Sequence, residues 1–173
     1  MRMSGGFAAL ISAVVFVGCG QPVSPAGPSP FSGTGSSLGA GSSQAVPFRG
    51  EMEGTQSLTP GQPPFATVNG HASGTATLLG RFTVEFPHTV NTSTATGQGT
   101  YTFTAANGDT LTASFTGAAQ QGPIVHIVEN AVITGGSGRF AGASGSFTAR
   151  REFTPATGTV TGSFEGTIST PGQ

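Results

Sequence analysis

The stretch 133-ITGGSGRFAGASGSF-147 holds five glycines, at positions 135, 136, 138, 142 and 145. Glycines this dense have two common uses. They bring backbone close to a phosphate, or they turn and bend a strand. A phosphate loop needs a strand before the glycines and an amphipathic helix after them, with the helix N-terminus facing the anion. A strand-like run, IVHIVENAVIT, does come first. The run on the C-terminal side, RFAGASGSFTARREF, alternates with period two and carries no helix signal. The spacing G-S-G-R-F-A-G also misses G-x-G-x-x-G by one residue. The stretch therefore reads as a turn and a bent strand. Gly135 and Gly136 are expected to make the turn, with Gly138 a third structural glycine beside them. Phe140 lies on even parity, whereas Phe147, Ala149 and Phe153 lie on odd parity. If all face inward, one extra residue separates them, and Gly142 and Gly145 are placed to host that bulge.

The same period governs the chain past residue 44. In LLGRFTVEFPHTV, Leu78, Gly80, Phe82, Val84, Phe86, His88 and Val90 share one parity, and Arg81, Thr83, Glu85, Pro87 and Thr89 the other. That pattern predicts a half-buried strand whose ladder weakens at Pro87. In GTYTFTAANGDTLTASFTG, a two-residue Asn107-Gly108 hairpin loop would set Phe103 opposite Thr112 and turn Leu111 and Phe115 outward. A three-residue loop, Ala106 to Gly108, pairs Phe103 with Leu111 and Tyr101 with Ala113, and puts Gly108 in the left-handed position. The first strand alternates Val46, Phe48, Gly50, Met52 and Gly54 on one face. The last alternates Val160, Gly162, Phe164, Gly166 and Ile168. Large-small alternation fills a tapering barrel, and closing it removes exposed edges. The expectation is all-β: a single antiparallel β-barrel of about eight strands over residues 45–170. The strands fall near 46–54, 74–90 (one long strand or two), 99–105, 109–117, 124–134, 139–153 and 159–169.

The glycine stretch resembles a signature shared by plant allene oxide cyclases and dirigent proteins. Gly135, Gly136, Ser137, Gly138, Phe140, Ala143 and Gly145 match it, and Gly142 matches the cyclase form. Those families are eight-stranded antiparallel barrels, which is what the resemblance implies for the fold. The matched residues are structural, so no catalytic residue and no activity come with them.

Composition narrows the function. The chain has 173 residues, 8% of them charged, no lysine, and a formal net charge of −1. A nucleic-acid partner is not expected, because there is no basic footprint. Residues 1–18 read as a signal peptide: Arg2, then an apolar run from Phe7 to Val17 too short to span a bilayer. The run ends in FVGC, which resembles the bacterial lipobox and implies cleavage after Gly18 and lipidation of Cys19, the only cysteine. Phe16, where leucine is typical, is a departure. Residues 19–44 are Gly-, Ser- and Pro-rich and read as a flexible tether. The location expected is outside the cytoplasm, lipid-anchored to the envelope, at the outer membrane or cell surface.

No catalytic residue, metal or cofactor is expected. His71 reads as a loop residue. Glu85 and His88, three apart on a strand, face opposite sides. Polar side chains on inward parity are His88, Tyr101 and Arg151, and these are the candidate cavity residues. A buried Arg151 needs a carboxylate, and Glu129 qualifies if Val125 and Ile127 face in. IVHIVENAVI is apolar on both parities, so His126 is an equal alternative, and Arg151 at a barrel mouth could instead reach water. Two functions stay open: a non-catalytic envelope module that is structural or binds an apolar molecule or a partner, and an isomerase or cyclase with an apolar cavity. Ten of the thirteen phenylalanines come after residue 44, which favours a solidly packed interior and the first reading.

Overall fold

The computed structural model describes residues 44–171. The signal peptide, Cys19 and the tether lie outside this range. The described residues form nine strands: β1 Val46–Pro60, β2 Phe65–Ala76, β3 Gly80–Glu85, β4 His88–Asn91, β5 Thr96–Ala105, β6 Thr110–Gln120, β7 Val125–Gly136, β8 Ser144–Thr154 and β9 Thr159–Ser169. β3 and β4 act as one strand, since both pair with β2 on one side and β5 on the other. The break falls at Phe86-Pro87, where proline has no N–H to give the ladder. The remaining neighbours pair antiparallel, and β1 pairs with both β9 and β2. The result is a closed eight-stranded antiparallel barrel.

The strands are strongly tilted. Tracing partners round the wall from Gly50 leads through Phe164, Ala149, Glu129, Gly117, Gly97, Val90 and Ala66 to Pro60, ten residues further along the strand that was left. With eight strands, that stagger sets a tilt of roughly 40–45° and an interior that side chains can fill or that can hold one small ligand.

The alternation at the β1–β9 closure works as a cross-strand fit. Phe48 lies opposite Gly166, Gly50 opposite Phe164, Met52 opposite Gly162 and Gly54 opposite Val160. Each large side chain crosses the space its partner leaves empty. A methyl at Gly50 would run into the Phe164 ring, and one at Gly166 into Phe147. The twelve residues Phe48, Met52, Phe82, Val84, Phe86, Tyr101, Phe103, Leu111, Phe115, Phe147, Phe164 and Ile168 are all buried. Phe48, Phe103, Phe147 and Phe164 form the centre, with ring centroids 4.9–6.2 Å apart. The hairpin takes the three-residue loop: Phe103 pairs with Leu111 and Tyr101 with Ala113, and Gly108 has φ +88°.

Several expected details are corrected. β1 runs on to Pro60, and the region 74–90, read as one long strand or two, is the end of β2, a turn at residues 77–79, and then β3 and β4. Leu78 has φ +64° and belongs to the turn, while Leu79 takes the buried position. His71 is not in a loop but faces outward on β2. Phe65 is half exposed, so not every phenylalanine of the folded part is core. The parity switch does not reside in a bulge between Phe140 and Phe147. Instead Gly135 and Gly136 are the last residues of β7 and not the turn itself, residues Gly138–Phe140 make one 3₁₀ turn, and β8 begins at Ser144. The register slip of this region lies in β7, where Thr112 pairs with Gly135 and Ala113 with Ile133, leaving Thr134 as the extra residue. A short helical turn changes parity as well as a bulge does, and period counting alone does not separate them.

The glycine stretch thus folds Phe140 back into the barrel. Phe140 N–H donates to Ser137 O at 3.0 Å, and Ala143 N–H to Phe140 O at 3.0 Å. Gly138 and Gly142 have φ +56° and +72°, conformations a side chain would strain. The Arg139 guanidinium covers the Phe140 ring at 4.9 Å, donates to Leu79 O at 3.2 Å and faces Asp109 at 3.7 Å.

Candidate functional site

The other end of the barrel is open. β1, β4, β6 and β8 end there and β2, β5, β7 and β9 begin there, joined by four short loops. A cavity of about 580 Å³ enters at this mouth. Val68, Val90, Val125, Ile127 and Phe153 give it apolar walls, and Gln56, His88 and Glu129 bring polar atoms to it. The centre of the barrel is packed with phenylalanine as expected, but this end is not filled to the rim. A hollow of about 680 Å³ on the outer wall, lined mainly by outward side chains such as Arg49, Glu51 and Arg150, holds no such buried groups.

Beneath the cavity lies a buried polar cluster. β5 carries Tyr101, β7 Glu129 and β8 Arg151, each at most 2% exposed. Tyr101 Oη–H donates to Glu129 Oε2. Arg151 grips the same carboxylate with two nitrogens, Nε to Oε2 at 3.0 Å and Nη2 to Oε1. Its third nitrogen, Nη1, donates to Gln56 Oε1 at 2.8 Å. The guanidinium also lies over the Phe86 ring, 4.7 Å from its centroid. Arg151 is thus enclosed and does not reach water. His126 does not partner it; that side chain points outward and faces Glu152 at 3.4 Å.

Such a cluster is tolerable only when complete, since a buried charge without its partner costs several kcal/mol. Here no buried side-chain nitrogen or oxygen among the described residues lacks a hydrogen bond. Burial pushes the Tyr101 pKa well above 10.0, and the adjacent Glu129 charge adds to the effect, so the phenol stays a donor. Burial works against the Arg151 charge, but the oxygens of Tyr101 and Glu129 outweigh it and keep the guanidinium protonated.

Glycines make room for these side chains. A methyl at Gly117 would meet Glu129 Cγ at 2.5 Å, and one at Gly162 would meet Arg151 Cγ at 2.9 Å. Gly70 gives the same clearance to Phe86, and Gly99 to His88. Much of the glycine content therefore serves the inward bulk.

His88 stands between cluster and cavity. It is 8% exposed, stacked beside Phe86 with ring centroids 6.3 Å apart and against Phe115 at 5.5 Å. Its Nδ1 lies 2.8 Å from Phe86 O. A carbonyl only accepts, so Nδ1 carries a proton. Burial lowers the ring's pKa below 6.5 and Arg151 lowers it further, while the Phe86 carbonyl and Glu129 act the other way. The ring is neutral at pH 7.

The structure brings His88, Tyr101, Glu129 and Arg151 to one end, whereas Gly135, Gly136, Gly138, Gly142 and Gly145 belong to the closed end. Gln56 is the residue that reasoning from sequence misses. Its signal is parity, since it continues the inward series Val46 to Gly54. Ending β1 at Gly54 hid it. Among the described residues, no three His, Cys, Asp or Glu side chains gather as a metal site would require.

No protein-family model matches the chain, and neither does any curated protein sequence. Among solved structures it is similar to the pterocarpan synthase dirigent protein, with a TM-score of 0.54 and 15% sequence identity over 79% of this chain and 94% of that chain. Likeness at this identity is a likeness of fold, and the fold is a dirigent-like barrel.

Proposed function

We propose that this protein is an exported, lipid-anchored envelope protein whose barrel binds an apolar small molecule in its open mouth without transforming it. The observation that carries the reading is the 580 Å³ cavity, a size typical of small-molecule sites, with apolar walls and a few polar atoms gathered at its floor. The anchor reading rests on FVGC at residues 16–19. A Cys19→Ser protein is expected to leave the membrane fraction, and its retention there would remove that half of the proposal.

Binding without chemistry is favoured by the state of the acidic residue. Both Glu129 oxygens are engaged by Tyr101 and Arg151, which leaves the carboxylate little capacity as a base. One observation favours the alternative, an isomerase or cyclase: His88 presents an imidazole at the cavity wall. The resemblance of the glycine signature to allene oxide cyclases points the same way.

The pocket is tested by filling it. Val90 is half-buried at the rim, and Val90→Trp would block the mouth with little strain on the core. A neutral solvatochromic dye such as Nile red is expected to bind the parent and to bind the variant at least about tenfold more weakly. Equal binding by both proteins, or none by the parent, would end the pocket reading.

A further inference from the structure

Two hydrogen-bonding atoms that are accessible from the cavity, and so are not among the buried ones, have no partner among the described residues. With Nδ1–H committed to the Phe86 carbonyl, the neutral His88 ring carries its lone pair on Nε2. No described group donates to that nitrogen. Gln56 gives its Oε1 to Arg151, which leaves its amide N–H₂ with no acceptor among the same residues. Both residues line the same cavity. One offers an acceptor, the other a donor, and their surroundings are aliphatic or aromatic. A hydroxyl answers both, since its O–H donates while its oxygen accepts.

Charge narrows the choice. Glu129 reaches the cavity wall, whereas Arg151 is not among the residues that line it. An anionic head group would meet the carboxylate without meeting the guanidinium. A cationic one would find that carboxylate already neutralised by Arg151 and hydrogen-bonded to Tyr101. Neither sign of charge gains a free counter-charge here, and each would lose its water.

We infer that the ligand is an uncharged aliphatic alcohol, its hydroxyl donating to His88 Nε2 and accepting from the Gln56 amide while its hydrocarbon part occupies the apolar mouth. This rests on the mouth being a binding pocket, and it adds the head group that the pocket selects. His88 is the specificity-determining residue. Gln56 has two roles, one toward the ligand and one toward Arg151.

The test uses three probes of one chain length, 1-decanol, decanoate and decane, each displacing Nile red from the parent and from His88→Phe at pH 7.5. Phenylalanine keeps an aromatic ring, slightly larger, against Phe86 and Phe115 and removes both nitrogens, with the bond to the Phe86 carbonyl. The parent is expected to bind decanol roughly tenfold more tightly than decane, about the worth of one net hydrogen bond, and decanoate no better than decane. In His88→Phe the decanol advantage should vanish while decane binding is kept. Decanoate as the preferred probe, or an undiminished decanol advantage in His88→Phe, would overturn the inference. Equal binding of all three by the parent would overturn the head group and leave the pocket standing. No displacement by any of them, together with no dye binding, would remove both. A melting curve of His88→Phe shows that the variant is folded, and Gln56→Glu is a second variant. It keeps an acceptor for Arg151, lacks the amide donor, and should also lose part of the decanol preference.

Discussion

The two ends of this barrel are built on the same alternating strands, yet one is closed and the other holds a cavity. The strands alone do not explain the difference, because bulky inward residues occur at both levels. The connections do. At the closed end, the β2–β3 turn sends Leu79 inward and the β7–β8 connection sends in Phe140 and Ala143, all at most 4% exposed. At the open end, none of the loop residues 61–64, 92–95, 121–124 or 155–158 is buried. A barrel interior needs a cap as well as walls, and among the described residues only one end receives it. The ends also differ in charge. Asp109 and Arg139 clasp the closed end, whereas the four loops of the open end contain no charged residue.

The largest effects should come from removing what distinguishes each end. Phe140→Ala should cost about 3–5 kcal/mol and open a hole at the closed end. Arg151→Met should cost a similar amount, about 3–5 kcal/mol, because it leaves the Glu129 carboxylate buried without its cation. The two differ in rescue. Adding Glu129→Leu to Arg151→Met should recover much of the loss, since an apolar replacement of a whole buried ion pair is often near neutral. No partner substitution restores Phe140→Ala. Urea melts of the four proteins measure this, and a double variant as unstable as Arg151→Met would show that Glu129 is not the source of the cost.

A smaller effect belongs to Gly145. Its φ is +138°, and a side chain there would press on the Thr167 carbonyl of β9. Gly145→Val is expected to cost about 1–3 kcal/mol from backbone strain, with further loss if β9 is displaced. Gly142→Val, where φ is +72° and the nearest atom is Pro171 Cγ at 3.0 Å, should sit at the low end of that range. Equal melting of both variants and the parent would contradict the turn geometry at the closed end. Neither change should alter dye binding at the open end.

The smallest effects are those of pH, and they report on the open end. The pKa of His88 is lowered on folding, so the unfolded chain binds a proton where the folded one does not. Its contribution to stability is complete above 6.5 and is lost as pH falls from there through the lower folded value, by at most about 1.4 kcal/mol per unit. The pKa of Tyr101 is raised on folding, so its contribution is complete below 10.0 and is lost as pH rises beyond it. His88→Phe should flatten the acid limb of a stability-against-pH curve, and Tyr101→Phe the alkaline limb. A parent curve equally steep in both variants would place the titrating groups elsewhere.

Much of this molecule is legible in its sequence because the period of a strand is two and inward faces must be apolar. That rule locates the closing strands and the hairpin register at Phe103 and Leu111, and it puts His88, Tyr101 and Arg151 on the inner face. It also leaves Glu129 and His126 equivalent, because β7 is apolar on both parities. The choice between them is made by the tilt and register of the closed barrel, which set Tyr101, Glu129 and Arg151 side by side on three strands. The length of β1, and with it the place of Gln56, depends on pairing with β2, a strand whose glycines and polar residues weaken its local signal. That Phe140 caps one end while no loop caps the other is a matter of where connections lie in three dimensions. Parity records which way a side chain points, but only the packed structure decides whether something stands at the far end of the space it points into.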